Sequence, residues 1–464
     1  MDASESTSPV ACLRCRELDG RVRELEARNL GLETRLRDLE DKRKPPASKT
    51  FEPLPSAPSK KPTGKKRGGQ AGHKPHLKTW LPAERVATVV TYVPESCGRC
   101  ERSLADRPDE PSPTIHQVAE LPNTLAEITE HRGHARTCPC GHTTRAPIPP
   151  AVRSHTLGPK LAASIVYLSG VHGMSKRGIE ETVETLFGVP IALGTIADVE
   201  RQASDALESE YESVRTHVAD APVKYLDETG WKQAGKKRWL WVAATVGAAL
   251  FRIHPRRNLD ALKSLLGKLS GIIVSDRWCV TDDWDYDHRQ LCWAHIGRNW
   301  EKWTERGGEA KELGERWSAA QKSVFELWHV FRGGGCTRSD LNDRMIPHIE
   351  AMSELLHAGT RSRDAVLSRR CGRLLDRYPL LWLFVTVEGV EPTNNHGERV
   401  QRRAVLWRRR SFGCASAAGC RYVERILTTV ETLRLQKRNV LEFLSDTIAA
   451  ARERRPGPAL APTG

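Results

Sequence analysis

The chain has 464 residues, 39% hydrophobic and 28% charged, with a formal net charge of +14 and a pI near 9.3. That length exceeds one ordinary domain and suggests two to four folding units, while the basic excess favours a polyanionic partner, nucleic acid first and an anionic membrane surface second. No run of 18 apolar residues exists and the first 30 residues hold no apolar signal region, so a soluble, cytoplasmic and nucleoid-associated protein with no membrane partner is expected.

Residues 16–42 read as a coiled coil. Leu18, Leu25, Leu32 and Leu39 recur every seventh residue, and Val22, Asn29 and Leu36 fill the alternate core position. An Asn at such a position costs stability but fixes register, which favours a homodimer or higher oligomer. A single amphipathic helix packed elsewhere on the protein is the other reading. Cys12 and Cys15 just before it form an isolated pair. Residues 43–80 are Lys-, Pro-, Ser- and Gly-rich and are expected to be a disordered linker. Its Lys65, Lys66 and Arg67 either track phosphates or merely solvate a tether.

Residues 84–150 predict a small β unit with a strand over Val86–Val93. Cys97-Gly98-Arg99-Cys100 and Cys138-Pro139-Cys140-Gly141-His142 follow. In a reducing compartment such pairs suit a tetrahedral structural Zn2+ bound by Cys97, Cys100, Cys138 and Cys140, with His142 able to replace one thiolate. Four free thiols are the alternative. Residues 157–215 predict helices: Ser175 caps one that runs to Phe187, Gly188-Val189-Pro190 turns the chain, and another starts near Leu193. That pattern suits a helix-turn-helix DNA reader or a plain bundle.

From residue 220 the texture becomes strand-like. Val223–Leu226 predicts a strand ending at Asp227; Trp239–Thr245 and Ala248–Ile253 predict a hairpin; Leu259–Leu269 has helical spacing; Gly271–Val274 predicts an apolar strand ending at Ser275-Asp276. Another strand covers Gln290–Trp293. Strand, hairpin, helix, strand is the order of an RNase H-like fold, in which the first and fourth strands lie side by side. Asp227 and Asp276, 49 residues apart in sequence (276 − 227), would then converge. A third acid is expected on a late helix, and Glu398 fits, just after the N-cap candidates Asn394 and Asn395. Arg399, Arg402, Arg403, Arg408, Arg409 and Arg410 follow and are expected to grip a DNA backbone. Phosphodiester cleavage with two Mg2+ or Mn2+ ions needs carboxylates of this kind. Competing acids are Glu228, which should face the opposite side if the strand continues, the aspartates at 282, 283, 285 and 287, and Glu388 and Glu391.

Taken in order, Asp227-Glu228-Thr229-Gly230-Trp231, Arg238-Trp239-Leu240-Trp241-Val242, Ser275-Asp276, Cys292-Trp293-Ala294-His295, Asn394-Asn395-x-x-Glu398-Arg399 and Ser411-Phe412-Gly413 resemble the DDE transposases of the IS66 insertion-sequence family. Gly68-Gly69-Gln70-Ala71-Gly72-His73 resembles that family's Gly-Gln-Pro-Gly-His segment, with Ala71 replacing Pro, and Arg277 stands where some members have Gly. The resemblance implies a transposase that binds its element's inverted-repeat ends, cleaves their 3′ ends and joins them to target DNA, with Asp227, Asp276 and Glu398 as the acids. It also implies small accessory proteins as partners, and an accessory role, catalytic or structural, for Cys292 and His295.

The expected fold class is therefore α/β. An RNase H-like catalytic domain (220–445) carries a helical insertion at about 300–385. An N-terminal coiled coil, a zinc-binding β unit and a helical region precede it, and a flexible tail (446–464) follows. Two rival functions are a catalytically inactive zinc-dependent DNA-binding protein and an oligomerising scaffold.

Overall fold

The computed structural model describes residues 81–108, 115–119, 126–276, 284 and 288–462. The expected coiled coil, the linker with Lys65, Lys66 and Arg67, Arg277 and the aspartates at 282, 283, 285 and 287 lie outside these residues. The chain divides into two compact units, Met1–Glu120 and Leu121–Gly464. No helix among the described residues is long and apolar enough to cross a membrane.

In the first unit the described backbone makes a short 3-10 turn at Ala83–Arg85 and a loop over Cys97–Cys100 closed by a bridge between Ser96 and Ser103. The strand expected over Val86–Val93 is not formed, and Val89, Val90, Tyr92 and Val93 are exposed. β-favouring side chains do not make a strand without a partner for the backbone, and no named strand pairs with them among the described residues of this unit.

The second unit opens with a hairpin, β1 (Ala135–Thr137) and β2 (Thr143–Arg145), around the Cys138–Gly141 turn. Helices α1 (Pro150–Arg153), α2 (Pro159–Gly170), α3 (Lys176–Phe187), α4 (Leu193–Ala206) and α5 (Glu208–Asp220) follow. Ser175 accepts from Gly178 N at the start of α3, and Gly188, at φ 67°, ends it in the left-handed conformation that a Cβ disfavours.

A mixed five-stranded sheet comes next: β3 (Val223–Gln233), β4 (Lys236–Ala244), β5 (Ala249–His254), then α6 (Leu259–Leu266), β6 (Ile272–Ser275) and β7 (Arg289–Leu291). Its order is β5-β4-β3-β6-β7, antiparallel on the hairpin side and parallel from β3 to β7. The first strand is longer than its apolar run: it continues through Asp227 to Gln233, because Thr229, Gly230 and Trp231 go on pairing with β4. Asp227 thus lies inside the strand rather than at its end.

Helices α7 (Trp293–Thr304), α8 (Gly308–Arg332), α9 (Arg338–Thr360), α10 (Ala365–Leu375), the single turn α11 (Leu383–Thr386), α12 (Asn395–Ser411), α13 (Ala417–Leu435) and α14 (Val440–Arg452) complete the unit. Alternation along the strands divides the core between the two faces. Tyr225, Trp231, Leu240, Val242 and Phe251 pack with α7 to α12, whereas Leu226, Trp241, Ala243 and Leu250 pack with α2 to α6, α13 and α14. Within the first core, the rings of Trp300 and Trp317 stack 4.6 Å apart, and Trp293 meets Trp382 edge-on at 4.9 Å.

The chain beyond 446 is not a loose tail. Helix α14 reaches Arg452, its Phe443, Leu444 and Ile448 are buried, and Leu460 is buried with its N–H donated to Glu210 at 2.7 Å. The apolar spacing Val440, Phe443, Leu444, Ile448 supplies the face that holds it against the second core.

Candidate active site

The β3–β6 ladder sets the site. Its pairs Val223↔Ile272, Lys224↔Ile273 and Tyr225↔Val274 share one offset, and that offset continued brings position 276 opposite position 227. Period-two alternation puts Asp227 on the same face as Tyr225 and Trp231, towards α7 and α12, and sends Glu228 to the other face. There Glu228 accepts from Arg257 Nε at 2.8 Å, which removes it from contention as a metal-binding acid.

Asp227 is half-buried, and its Oδ1 accepts the Glu228 N–H at 2.9 Å. Burial raises its pKa most, and the charges of Glu228, Glu398 and Asp276 raise it further. The Glu228 N–H offsets part of this, and the carboxyl rests at about 7. Glu398 lies in the first turn of α12 and meets Arg298 Nη2 at 3.3 Å and His295 Nδ1 at 3.5 Å, both from α7. The three acids therefore share one electrostatic neighbourhood, with Glu398 turned towards Arg298 and His295 of α7.

What holds them is a hydrogen-bonded bracket around Cys292 and Asn394. The Cys292 N–H donates to Ser275 O at 2.9 Å, one residue before Asp276. The buried Cys292 Sγ accepts the Asn394 N–H at 3.1 Å. Asn394 Nδ2 donates to Leu226 O at 2.7 Å, one residue before Asp227, and Asn394 O accepts the Glu398 N–H at 3.0 Å. Two residues, Cys292 and Asn394, thus hydrogen-bond to the backbone at or beside each acid. Asn394 is the N-cap residue, but its side chain makes this cross-strand bond instead of a capping bond. Gly397 permits the fit, since a Cβ there would lie 2.6 Å from Asn394 Oδ1.

The match to known families covers this whole arrangement. The model of the family described as "Transposase IS66 family" matches residues 155–422, well over half of the chain. The chain belongs to the IS66 transposase family. No curated protein matches it. The matched segment runs from just before α2 into α13 of this IS66 transposase, so it holds all three acids and leaves both cysteine pairs outside.

The sequence-predicted arginines of α12 in the transposase divide into two groups. Arg403 donates to Glu431 and, at 2.8 Å, to Val171 O; Arg408 donates to Thr229 Oγ1 at 2.8 Å and Gly230 O at 2.7 Å. Both are half-buried and tie α12 to its neighbours, so they are not free to grip DNA as expected. Arg410 bonds His172 O yet stays exposed, as do Arg399, Arg402 and Arg409. The pattern of consecutive arginines hid this division, because a helix turns each one to a different side.

Each cysteine pair can be described within its own unit. Cys97 O accepts from Glu101 N, and backbone N–H groups of Arg99 and Cys100 hold the Cys97 thiol below its usual pKa. Cys138 O accepts from Gly141 N at 2.8 Å, and the His142 N–H lowers the Cys140 thiol. These donors stabilise thiolates, the form that binds metal.

A further grouping joins residues that the sequence had named separately. Cys292 Sγ, a ring nitrogen of His295 and a carboxylate oxygen of Glu398 lie within 4.8 Å of one another, the one group of metal-ligand side chains that close among the described residues. The spacing Cys292-x-x-His295 pointed to two of them, but nothing local joined Glu398 to them. Arg298, one helical turn beyond His295, was missed from sequence.

Proposed function

We propose that this IS66 transposase is a DDE enzyme with an RNase H-like core, in which Asp227, Asp276 and Glu398 bind two Mg2+ or Mn2+ ions and act on DNA. The carrying observation is the common β3–β6 offset, which aligns positions 227 and 276 while Asn394 ties the Glu398 helix to the residue before Asp227. The donor set fits a hard divalent cation: three carboxylates, one of them kept partly protonated near neutral pH by burial first and by its acidic neighbours second. A cation would relieve that repulsion. Bound divalent metal activates the attacking oxygen and stabilises the departing one.

The chain's own part is positional and electrostatic. Asp227 must give up the proton that sits on Oδ2, since Oδ1 is already engaged by the Glu228 N–H. His295 and Arg298 of α7 hold Glu398 Oε1. Arg399, Arg402, Arg409 and Arg410 hold DNA phosphates. In the first step water attacks the scissile phosphorus, and the bond to the 3′ oxygen breaks to leave a 3′-hydroxyl. In the second that hydroxyl attacks a target phosphodiester, and one bond forms as another breaks. No covalent enzyme–DNA species is required.

The test is cleavage of labelled element-end DNA by the full chain with Mg2+. Loss of product in Asp227→Ala, Asp276→Ala and Glu398→Ala is the expected result. Unchanged cleavage in any one of them removes that acid from the site, and a wild type that binds DNA but never cuts it favours the inactive DNA-binding reading. The same proposal takes the thiolates of each pair, Cys97 with Cys100 and Cys138 with Cys140, as ligands for structural zinc, with α3 and α4 as a helix pair for end recognition. Self-association on DNA and small accessory partners complete it.

A further inference from the structure

Apart from the acids, the second unit has a cleft of about 680 Å³ lined by Arg370, Arg373 and Arg377, with Asn299 and Asp376. Arg370 and Arg373 lie three residues apart on α10, so they share a helix face, and both are exposed. The guanidinium of Arg370 sits over the Trp303 ring, 5.7 Å from its centroid, which restricts the side chain before any ligand arrives. Three guanidinium groups against one carboxylate leave the cleft cationic. Among the described residues its lining contains no aromatic side chain on which a base could stack.

The cleft is joined to the acids by one side chain. Asn299, on its wall, donates from Nδ2 to His295 O at 2.9 Å, and the His295 ring stands 3.5 Å from Glu398. Asn299 and Arg298 are neighbours on α7, with Arg298 facing Glu398 and Asn299 facing the cleft.

We propose that the cleft is a DNA-backbone site, in which Arg370, Arg373 and Arg377 hold phosphates flanking the scissile bond. The ligand class follows from the chemistry: planar guanidinium forks pair with phosphate oxygens, and a lining without stacking groups reads backbone rather than base. This inference rests on the proposal that DNA lies across the three acids. It adds that the helical segment between the second and third acids is part of the DNA track.

Equilibrium binding of the full chain to labelled end DNA, measured over a series of salt concentrations, tests it. Arg370→Ala with Arg373→Ala should lower the slope of log affinity against log salt by about 2, one per lost phosphate contact. Arg373→Glu alone should weaken binding further than Arg373→Ala, and it decides the matter if the double variant folds poorly. Arg344→Ala on α9, outside the cleft lining, controls for loss of charge and should keep the wild-type slope. In cleavage, the double variant should need more DNA for half-maximal rate. Wild-type slope and affinity in both the double variant and Arg373→Glu overturn the cleft as a DNA site. Because the slope comes from binding alone, it decides this point even if no Mg2+-dependent cleavage is seen, a result that would count against the three acids instead.

Discussion

Near pH 7 the Asp227 carboxyl is about half protonated, because burial and three acidic neighbours oppose its charge. Its folded pKa lies above the unfolded value near 3.9. The metal-free fold therefore binds this proton more tightly than the unfolded chain does. The resulting stability is complete below pH 4 and is lost as pH rises towards and through 7. Asp227→Asn keeps an oxygen for the Glu228 N–H and removes the charge. In the absence of metal it should raise stability at pH 8 by of order 2–4 kcal/mol, about three pKa units at 1.36 kcal/mol each as an upper bound. The advantage should shrink to nothing near pH 4. Thermal melts across pH 4–8, with and without Mg2+, check this: Mg2+ should raise the wild-type Tm and leave the variant's unchanged, and an advantage independent of pH would contradict the charge argument. Asn394 makes a second test at this scale. Asn394→Asp replaces the donor facing Leu226 O by an acceptor, at almost constant volume. Partners that orient metal ligands typically contribute 10–100-fold in metal affinity or activity, so the Mg2+ concentration for half-maximal cleavage should rise by about that factor. A loss that is the same at every Mg2+ concentration would mean that Asn394 supports the fold and not the acids.

Among the elements, the edge strand β5 shows what sequence leaves illegible. Its outward N–H groups at Ala249, Phe251 and Ile253 are not left to solvent: Thr432 Oγ1, Thr428 Oγ1 and Glu424 Oε1 of α13 accept them at 3.0, 3.0 and 2.8 Å. Residues four apart on the helix meet residues two apart on the strand, because about 6 Å of helix rise matches about 6.6 Å of strand rise. A helix thus closes the sheet edge as a neighbouring strand would. Thr428→Val leaves the buried Phe251 N–H without a partner and should cost about 1–3 kcal/mol. Thr428→Ser keeps the oxygen and should cost about 1 kcal/mol, the value of one buried methyl. Equal Tm losses for the two variants would show that packing, not the hydrogen bond, matters there. The hairpin, α6 and the capped α3 were legible because each is coded locally, by alternation, by helical spacing or by Ser175 and Gly188. The register that brings positions 227 and 276 level was legible only as a fold analogy. The Cys292–Asn394 bracket was not legible: its members are 102 residues apart, and nothing in either neighbourhood names the other.

At the scale of the molecule, the family match begins at residue 155, so the cysteine pairs must be argued on their own chemistry. Exposed Cys100, Cys138 and Cys140, with Cys97 partly so, are poor core residues, and backbone N–H donors favour the thiolate of Cys97 and Cys140. The proposed zinc fits them, since thiolate ligation uses the same lowered pKa that the backbone donors give Cys97 and Cys140. The full chain purified without chelator should carry zinc by elemental analysis, and Cys138→Ser with Cys140→Ser should lower the zinc content. The unit around β3 owes its core to Trp231, Phe251, Trp293 and their neighbours and not to these thiols. Zinc removal should therefore leave its thermal transition in place while abolishing a separate, metal-dependent one. If end-DNA binding also falls on zinc removal and Mg2+-dependent cleavage of a saturating substrate does not, recognition and chemistry lie in separate parts of the chain. A wild-type protein free of zinc, or a double Cys→Ser variant with undiminished zinc, would remove the metal from this part of the proposal and leave the three acids untouched.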